Sequence, residues 1–114
     1  MIDVVLYRTD GKLLAFTVEG HAGYADRGSD IVCAAVSAIT QTTILGLEEI
    51  LDLTANIEIK EGKLSLILNE RDPEKSMQAE LLLETMVLGL YGIKTEHEEH
   101  LSIREEEVDP GEEY

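Results

Sequence analysis

Ile2-Asp3-Val4-Val5-Leu6-Tyr7-Arg8-Thr9-Asp10-Gly11-Lys12-Leu13-Leu14-Ala15-Phe16-Thr17-Val18-Glu19 opens the chain, and its pattern decides how the rest is read. Ile2 to Arg8 is rich in β-branched and aromatic residues, the types that fit a pleated surface. Asp10-Gly11 follows, and an Asp-Gly pair between two such runs is the strong short signal for a tight hairpin. Leu13 to Glu19 returns, with Leu14, Phe16 and Val18 alternating onto one face. The stretch predicts a strand–turn–strand unit.

Downstream, Gly20 to Ser29 holds Gly20, Gly23 and Gly28 and little apolar bulk, so it reads as a loop. Asp30 can cap a helix that begins near Ile31 and runs to about Leu51. Val32, Val36, Ile39 and Ile50 are its buried candidates. Ala34, Ala35, Ser37 and Ala38 are small enough to let it lie close to a sheet or a second helix. Gly46 weakens it by about 1 kcal/mol against Ala. A second hairpin, Ala55 to Lys60 and Lys63 to Asn69, turns at Glu61-Gly62, with Leu64, Leu66 and Leu68 on one face. Asp72-Pro73-Glu74 starts a second helix with a cap, a proline in the first turn and an acid at the positive dipole end. That helix runs to about Tyr91. Leu81, Leu82, Met86, Leu88 and Leu90 are too many for one narrow stripe, which predicts cover on more than one side and makes a dimer plausible. Leu101 to Arg104 adds a short last strand. The fold class is α+β: two β-β-α units, a mostly antiparallel sheet packed against two helices, in a single domain over residues 1–104.

The chain has 114 residues, 44% of them hydrophobic, enough for one core without a disulfide or structural metal. Its single cysteine excludes an intramolecular disulfide. No apolar run reads as long enough for the ~18–20 residues of a membrane span. Met1-Ile2-Asp3-Val4 lacks the basic start and apolar stretch of a signal peptide. The net charge of −15 argues against nucleic acid and anionic membranes, and favours a basic protein partner. A cytoplasmic location is the expectation. Nine of the acidic residues fall between Glu96 and Tyr114, against Arg104 alone. Residues 105–114 therefore read as a disordered acidic tail. His97 and His100 among Glu96, Glu98 and Glu99 make a loose patch with no cysteine or ordered helix behind it, too little for specific metal binding.

The residues with chemistry to offer concentrate between Gly20 and Ser37. His21 stands where the second strand ends. Cys33 falls in the first turn of the expected helix, where unpaired N–H groups and the dipole favour a thiolate. A neighbouring imidazole can take the thiol proton, as in Cys–His pairs. Each residue also has a plainer reading. Cys33 between Val32 and Ala34 can be a small core hydrophobe. Asp30 can cap the helix or hold the ring of His21 in one tautomer. Ser37, one turn after Cys33, can donate to a thiolate or a substrate carbonyl, or simply permit close packing. Gly20, Gly23 and Gly28 can be hinges or plain turn residues.

The string Gly20-His21-Ala22, Gly28 and Asp30-Ile31-Val32-Cys33-Ala34-Ala35-Val36-Ser37 resembles the signature of the ribosomal-processing cysteine protease family (Prp, YsxB-like). The order hairpin, loop, helix, hairpin, helix matches over about residues 1–104. The resemblance implies a catalytic dyad of His21 and Cys33, with Asp30 and Ser37 in support. It implies a homodimer, no metal or organic cofactor, and a loop between His and Cys that moves over the substrate. It implies an endopeptidase that removes a short N-terminal extension from a large-subunit ribosomal protein, number twenty-seven, in bacteria whose version carries one. The substrate would be a basic ribosomal protein precursor, with no stable nucleic-acid binding and no membrane. No role carries onto Tyr24, Asp26 or Arg27. The alternatives are a non-catalytic peptide-binding or assembly module for ribosome biogenesis and a thiol redox sensor.

Overall fold

The structure, a computed structural model, describes residues 1–20 and 27–110, and only the backbone of 27–30. Its elements are β1 (Ile2–Thr9), β2 (Lys12–Glu19), α1 (Arg27–Leu45) with a π-helical turn (Gly46–Ile50), β3 (Ala55–Lys60), β4 (Lys63–Leu68), α2 (Pro73–Glu96) and β5 (Leu101–Glu107). Five strands form one sheet in the order β3-β4-β2-β1-β5. All neighbours are antiparallel except β1 and β5, which run parallel. The two β-β-α units are present as expected, and β5 makes the sheet mixed.

The first hairpin turns through Asp10 (φ 51°) and Gly11 (φ 81°), the doubly left-handed pair of a type I′ turn. Leu6 pairs with Phe16 and Val4 with Val18. The register slips between Tyr7 and Arg8, so that Arg8 faces Leu13 and Leu14 is the extra residue of a bulge. The expected Leu14–Phe16–Val18 face is corrected accordingly. Leu13 turns inward and is buried, while Leu14 is only half-buried. Ile2, Val4, Leu6, Phe16, Leu64, Leu66 and Leu101 on the sheet share one core with Val32 and Val36 of α1 and Leu83, Met86 and Leu90 of α2.

α1 departs from expectation at both ends. It starts at Arg27 rather than near Ile31, so Asp30 is its fourth residue. At the other end the helix widens into the π turn, which rotates the following side chains. Leu47 is buried and Ile50 is 80% exposed, the reverse of the expectation for Ile50. Close approach of the helices also differs from the reading. Ala34 and Ala38 are exposed. The close approach falls at glycines instead: a Cβ on Gly89 would stand 3.2 Å from Ile39, and one on Gly46 3.4 Å from Leu82. These two contacts run in opposite directions along the chain, so α1 and α2 are antiparallel. The apolar stretch Ile31–Ile50 is long enough to match a membrane span by length and composition. Here its Val32, Val36, Ile44 and Leu47 belong to the core between the layers.

α2 begins as read: the Asp72 carboxylate accepts from the Lys75 N–H at 2.9 Å, with Pro73 in the first turn. It continues to Glu96, past Tyr91. The sheet side takes Leu83, Met86 and Leu90, and Leu82 meets α1, while Met77, Leu81 and Leu88 stay exposed. His97 closes the helix through its N–H, and the His100 carbonyl accepts from Ile2 N–H at 2.9 Å.

Glu105 to Glu107 belong to the sheet and not to a tail. β5 pairs with β1 as far as Glu107 opposite Arg8, and Val108 N–H reaches the Arg8 carbonyl at 2.7 Å. Charge repulsion fails to expel this segment because it has local partners. Arg8, whose side chain is 17% exposed, donates to Glu105 at 2.7 Å and to Glu84 of α2 at 2.6 Å. Tyr91 donates to the other Glu105 oxygen at 2.8 Å, and Asp10 N–H donates to Glu107 at 2.8 Å. Arg8 holds the Glu105 carboxyl below its usual range, with Tyr91 adding to the effect. Burial, then the bond to Glu105, raises the Tyr91 phenol above its own.

Candidate active site

The end of the sheet where β2 stops and the β3–β4 hairpin turns faces the cleft side of α1. A cavity of about 310 Å³ opens there. Its apolar floor is Ile2, Val18 and Leu64 from the sheet with Val36 from α1. Cys33, Ser37 and Gln41 line one side at helical spacing, four residues apart, so all three project from one face of α1. The opposite rim is Ile59, Lys60, Glu61, Gly62 and Lys63 of the second hairpin.

Cys33 is half-buried and lines an open cleft, although Val32 beside it is fully buried. The helical phase separates the two neighbours, so the core reading belongs to Val32. Cys33 is the seventh residue of α1, beyond the first turn. The unpaired N–H groups of the helix are those of its first four residues, and the dipole effect fades over the same turn. The expected location of Cys33 in the first turn is therefore corrected. Ser37 is also half-buried, and its oxygen accepts from Gln41 Nε2 at 2.8 Å. Thr40, buried behind them, donates to the Val36 carbonyl at 2.8 Å.

Gly20 lies on the cleft wall and is pinned. Its N–H donates to the Gly62 carbonyl at 3.0 Å, and a Cβ at Gly20 would fall 2.8 Å from Met1 O and 2.9 Å from Ile2 Cα. His21 and Gly23 lie outside the described residues. Gly28 and Asp30 fall within α1, with Gly28 second from its start and so part of a helix rather than a loop. The rim carries Lys60 against Glu58 at 3.2 Å and Lys63 against Glu19 at 3.5 Å. Thus the mouth is locally mixed in charge, unlike the strongly acidic chain as a whole. Among the described residues no group of His, Cys, Asp and Glu could hold a metal ion.

The sequence reading missed Gln41, the hairpin rim and the sheet residues of the floor. Gln41 had a usable signal, since it continues the four-residue step from Cys33 through Ser37. The rim had none, because strand order alone brings residues 59–63 beside residue 20.

A family model described as cysteine protease Prp matches residues 1–102. A ribosomal processing cysteine protease Prp of Bacillus subtilis (strain 168) is 30% identical over 115 residues, covering 90% of this chain and 96% of its own length. Its namesake in Staphylococcus aureus (strain Mu50 / ATCC 700699) is 26% identical, covering 82% of this chain and 88% of its own. Among solved structures, SMU.848 from Streptococcus mutans superposes with a TM-score of 0.82 at 30% identity, over 95% of this chain and 96% of that one. The essential ribosomal processing protease Prp from S. aureus, in complex with a substrate peptide, superposes at 0.83 and 25% identity, over 93% of this chain and all of the other.

Proposed function

We propose that this chain, which belongs to the Prp family of cysteine proteases, removes the short N-terminal extension of large-subunit ribosomal protein twenty-seven in the cytoplasm of its host. The carrying observation is Cys33, the only cysteine, half-buried on the wall of the 310 Å³ cleft. The supporting one is Gly20, held on the same wall immediately before His21.

In this reading His21 accepts the thiol proton and the Cys33 sulfur attacks the scissile carbonyl carbon. A C–S bond forms as the carbonyl π pair moves to oxygen. The C–N bond then breaks, and the amine leaves with the proton from His21. Water, deprotonated by the same ring, attacks the thioester and frees the new carboxylate and the thiol. Asp30 orients the ring. A groove with an apolar floor and a two-lysine, one-glutamate rim suits an extended peptide. The overall charge of −15 attracts a basic precursor.

The test is to incubate the protein with the extended ribosomal protein and follow the product by mass. Cys33→Ala is expected to abolish cleavage and leave the thermal midpoint unchanged. Processing by Cys33→Ala at the normal rate removes the nucleophile assignment. A wild-type protein that binds the precursor without shortening it leaves the docking-module reading in its place.

The active form in this reading is a homodimer. Met77, Leu81 and Leu88 form an exposed apolar stripe on α2, at 69%, 72% and 75% exposure, and a second copy covers it. Sedimentation is expected to give a dimer for the wild type and a monomer for Leu81→Asp/Leu88→Asp. A wild-type monomer at micromolar concentration refutes this assembly.

A further inference from the structure

We propose that Gln41 is a positioning residue, which aims the Ser37 hydroxyl into the cleft as a donor to the carbonyl oxygen of the scissile bond. The inference rests on the protease reading of Cys33 and deepens it.

Four of the five threonines in α1 and α2 set the comparison, the fifth, Thr42, being exposed on α1 away from the cleft lining. Thr40, Thr43, Thr85 and Thr95 each donate to the carbonyl one turn back, at 2.8, 2.8, 2.7 and 3.0 Å. A hydroxyl in a helix ordinarily spends its proton in this way. Ser37 has no such bond among the described residues. Its oxygen instead accepts from Gln41 Nε2 at 2.8 Å. A hydroxyl has one proton and two lone pairs. The amide of Gln41 can only donate through nitrogen, so it occupies a lone pair and leaves the Ser37 proton for another acceptor. Both side chains line the cleft, and Ser37 stands one turn from Cys33 on the same face.

The position of Cys33 in α1 shows why such a donor is needed. An oxyanion is commonly held by backbone N–H groups. Those near Cys33 lie beyond the first turn and already bond within the helix. A side-chain donor on the cleft face takes over that work, and the Ser37 hydroxyl, one turn from Cys33, keeps its proton for it. A donor aimed at the developing charge acts mostly in the transition state, so its loss appears in kcat rather than KM.

The experiment is steady-state cleavage of a fluorogenic peptide spanning the extension junction, by wild type, Gln41→Met, Gln41→Glu, Ser37→Ala and Ser37→Ala/Gln41→Met. Gln41→Met keeps the length and removes the donor. It is expected to lower kcat on the order of 3- to 10-fold, the span one neutral hydrogen bond controls, with KM within about twofold. Gln41→Glu reverses the bond, since a carboxylate accepts the Ser37 proton, and its kcat is expected to fall to that of Ser37→Ala. The double variant is expected to be no slower than Ser37→Ala. Iodoacetamide alkylation of Cys33 in the free protein, and the urea midpoint, are expected to be unchanged by Gln41→Met. Wild-type kcat in Gln41→Met overturns the inference alone, as does a fall in the double variant that multiplies the two single losses. A wild-type protein that cleaves nothing overturns the protease reading, and this inference with it.

Discussion

Gly20 follows β2 directly, with its backbone pressed against the first two residues of the chain. Its φ of 153° and the backbone atoms that a Cβ would meet at 2.8 and 2.9 Å leave no side chain to rotate aside. Gly20→Ala must move Met1 and Ile2 or the end of β2, and Ile2 is both core and cleft floor. The expected cost is about 2–3 kcal/mol of stability, from backbone strain and overpacking together. Urea unfolding measures it. An unchanged midpoint would show that the N-terminal residues yield freely. Cleavage is expected to suffer as well, because the wall that precedes His21 is displaced. At this scale the sequence was partly legible. A glycine before the histidine was readable as special, but as a hinge or turn residue, and the contact that requires it comes from residues far away along the chain. Cys33 and Ser37 were legible because a four-residue step places them together on any helix. The start of that helix was not. Asp30 has the chemistry of a cap, and the same carboxylate is favourable anywhere in a first turn, so local preference could not separate the two positions.

α1 carries its largest surprise at its C-terminal end. A constant helical period from Val36 points Ile50 inward, and the π turn breaks that period by inserting a residue. Leu47, early in the turn, keeps its inward place at 1% exposure while Ile50, after it, is left at 80%. Leu47→Ala is expected to cost about 2–5 kcal/mol by cavity formation. Ile50→Gln is expected to stay within about 0.5 kcal/mol of the parent, as exposed substitutions do. Equal losses at the two positions, read by thermal or urea unfolding, would mean that the helix continues in regular α phase. Gly46, where the π turn begins, was visible as a weak point, but weakness does not specify which way the ladder gives. The bulge in β2 is the same lesson in a strand. Alternation predicted Leu14 inside, and a single extra residue opposite Arg8 exchanged it for Leu13. Periodicity within one element contains no record of an inserted residue, in a strand or in a helix.

The whole molecule is closed by β5, which the composition of residues 105–107 argued against. Three successive glutamates read as self-repelling chain, yet the parallel pairing with β1 brings Glu105 within reach of Arg8, which also holds Glu84, and of Tyr91. Repulsion among exposed charges is worth a few tenths of a kcal/mol each, and the ladder bonds and a part-buried arginine with two carboxylates outweigh it. Deleting residues 105–114 is therefore expected to destabilise the fold by about 3 kcal/mol or more, several net backbone hydrogen bonds and the ion pair together. A dispensable tail would show no change. The acid limb of stability follows from this cluster and from Glu70, before α2. Arg8 foremost, then Tyr91, lowers the Glu105 carboxyl; the Thr54 N–H foremost, then that of Asp72, lowers the Glu70 carboxyl. A carboxyl depressed in the folded state adds stability above its unfolded value of ~4.3, and loses it as pH falls through the lower folded value. Glu105→Gln is expected to be less stable than wild type at pH 7, by about 0.5–1 kcal/mol once solvent screening of a carboxylate 41% exposed is allowed for. The two proteins should converge as pH falls through the lowered folded value, where the wild-type carboxyl takes the neutral state that glutamine imitates. Urea midpoints taken between pH 7 and pH 3 decide the matter: parallel curves would mean that the bond to Arg8 contributes nothing, whereas converging curves locate it on the sheet edge.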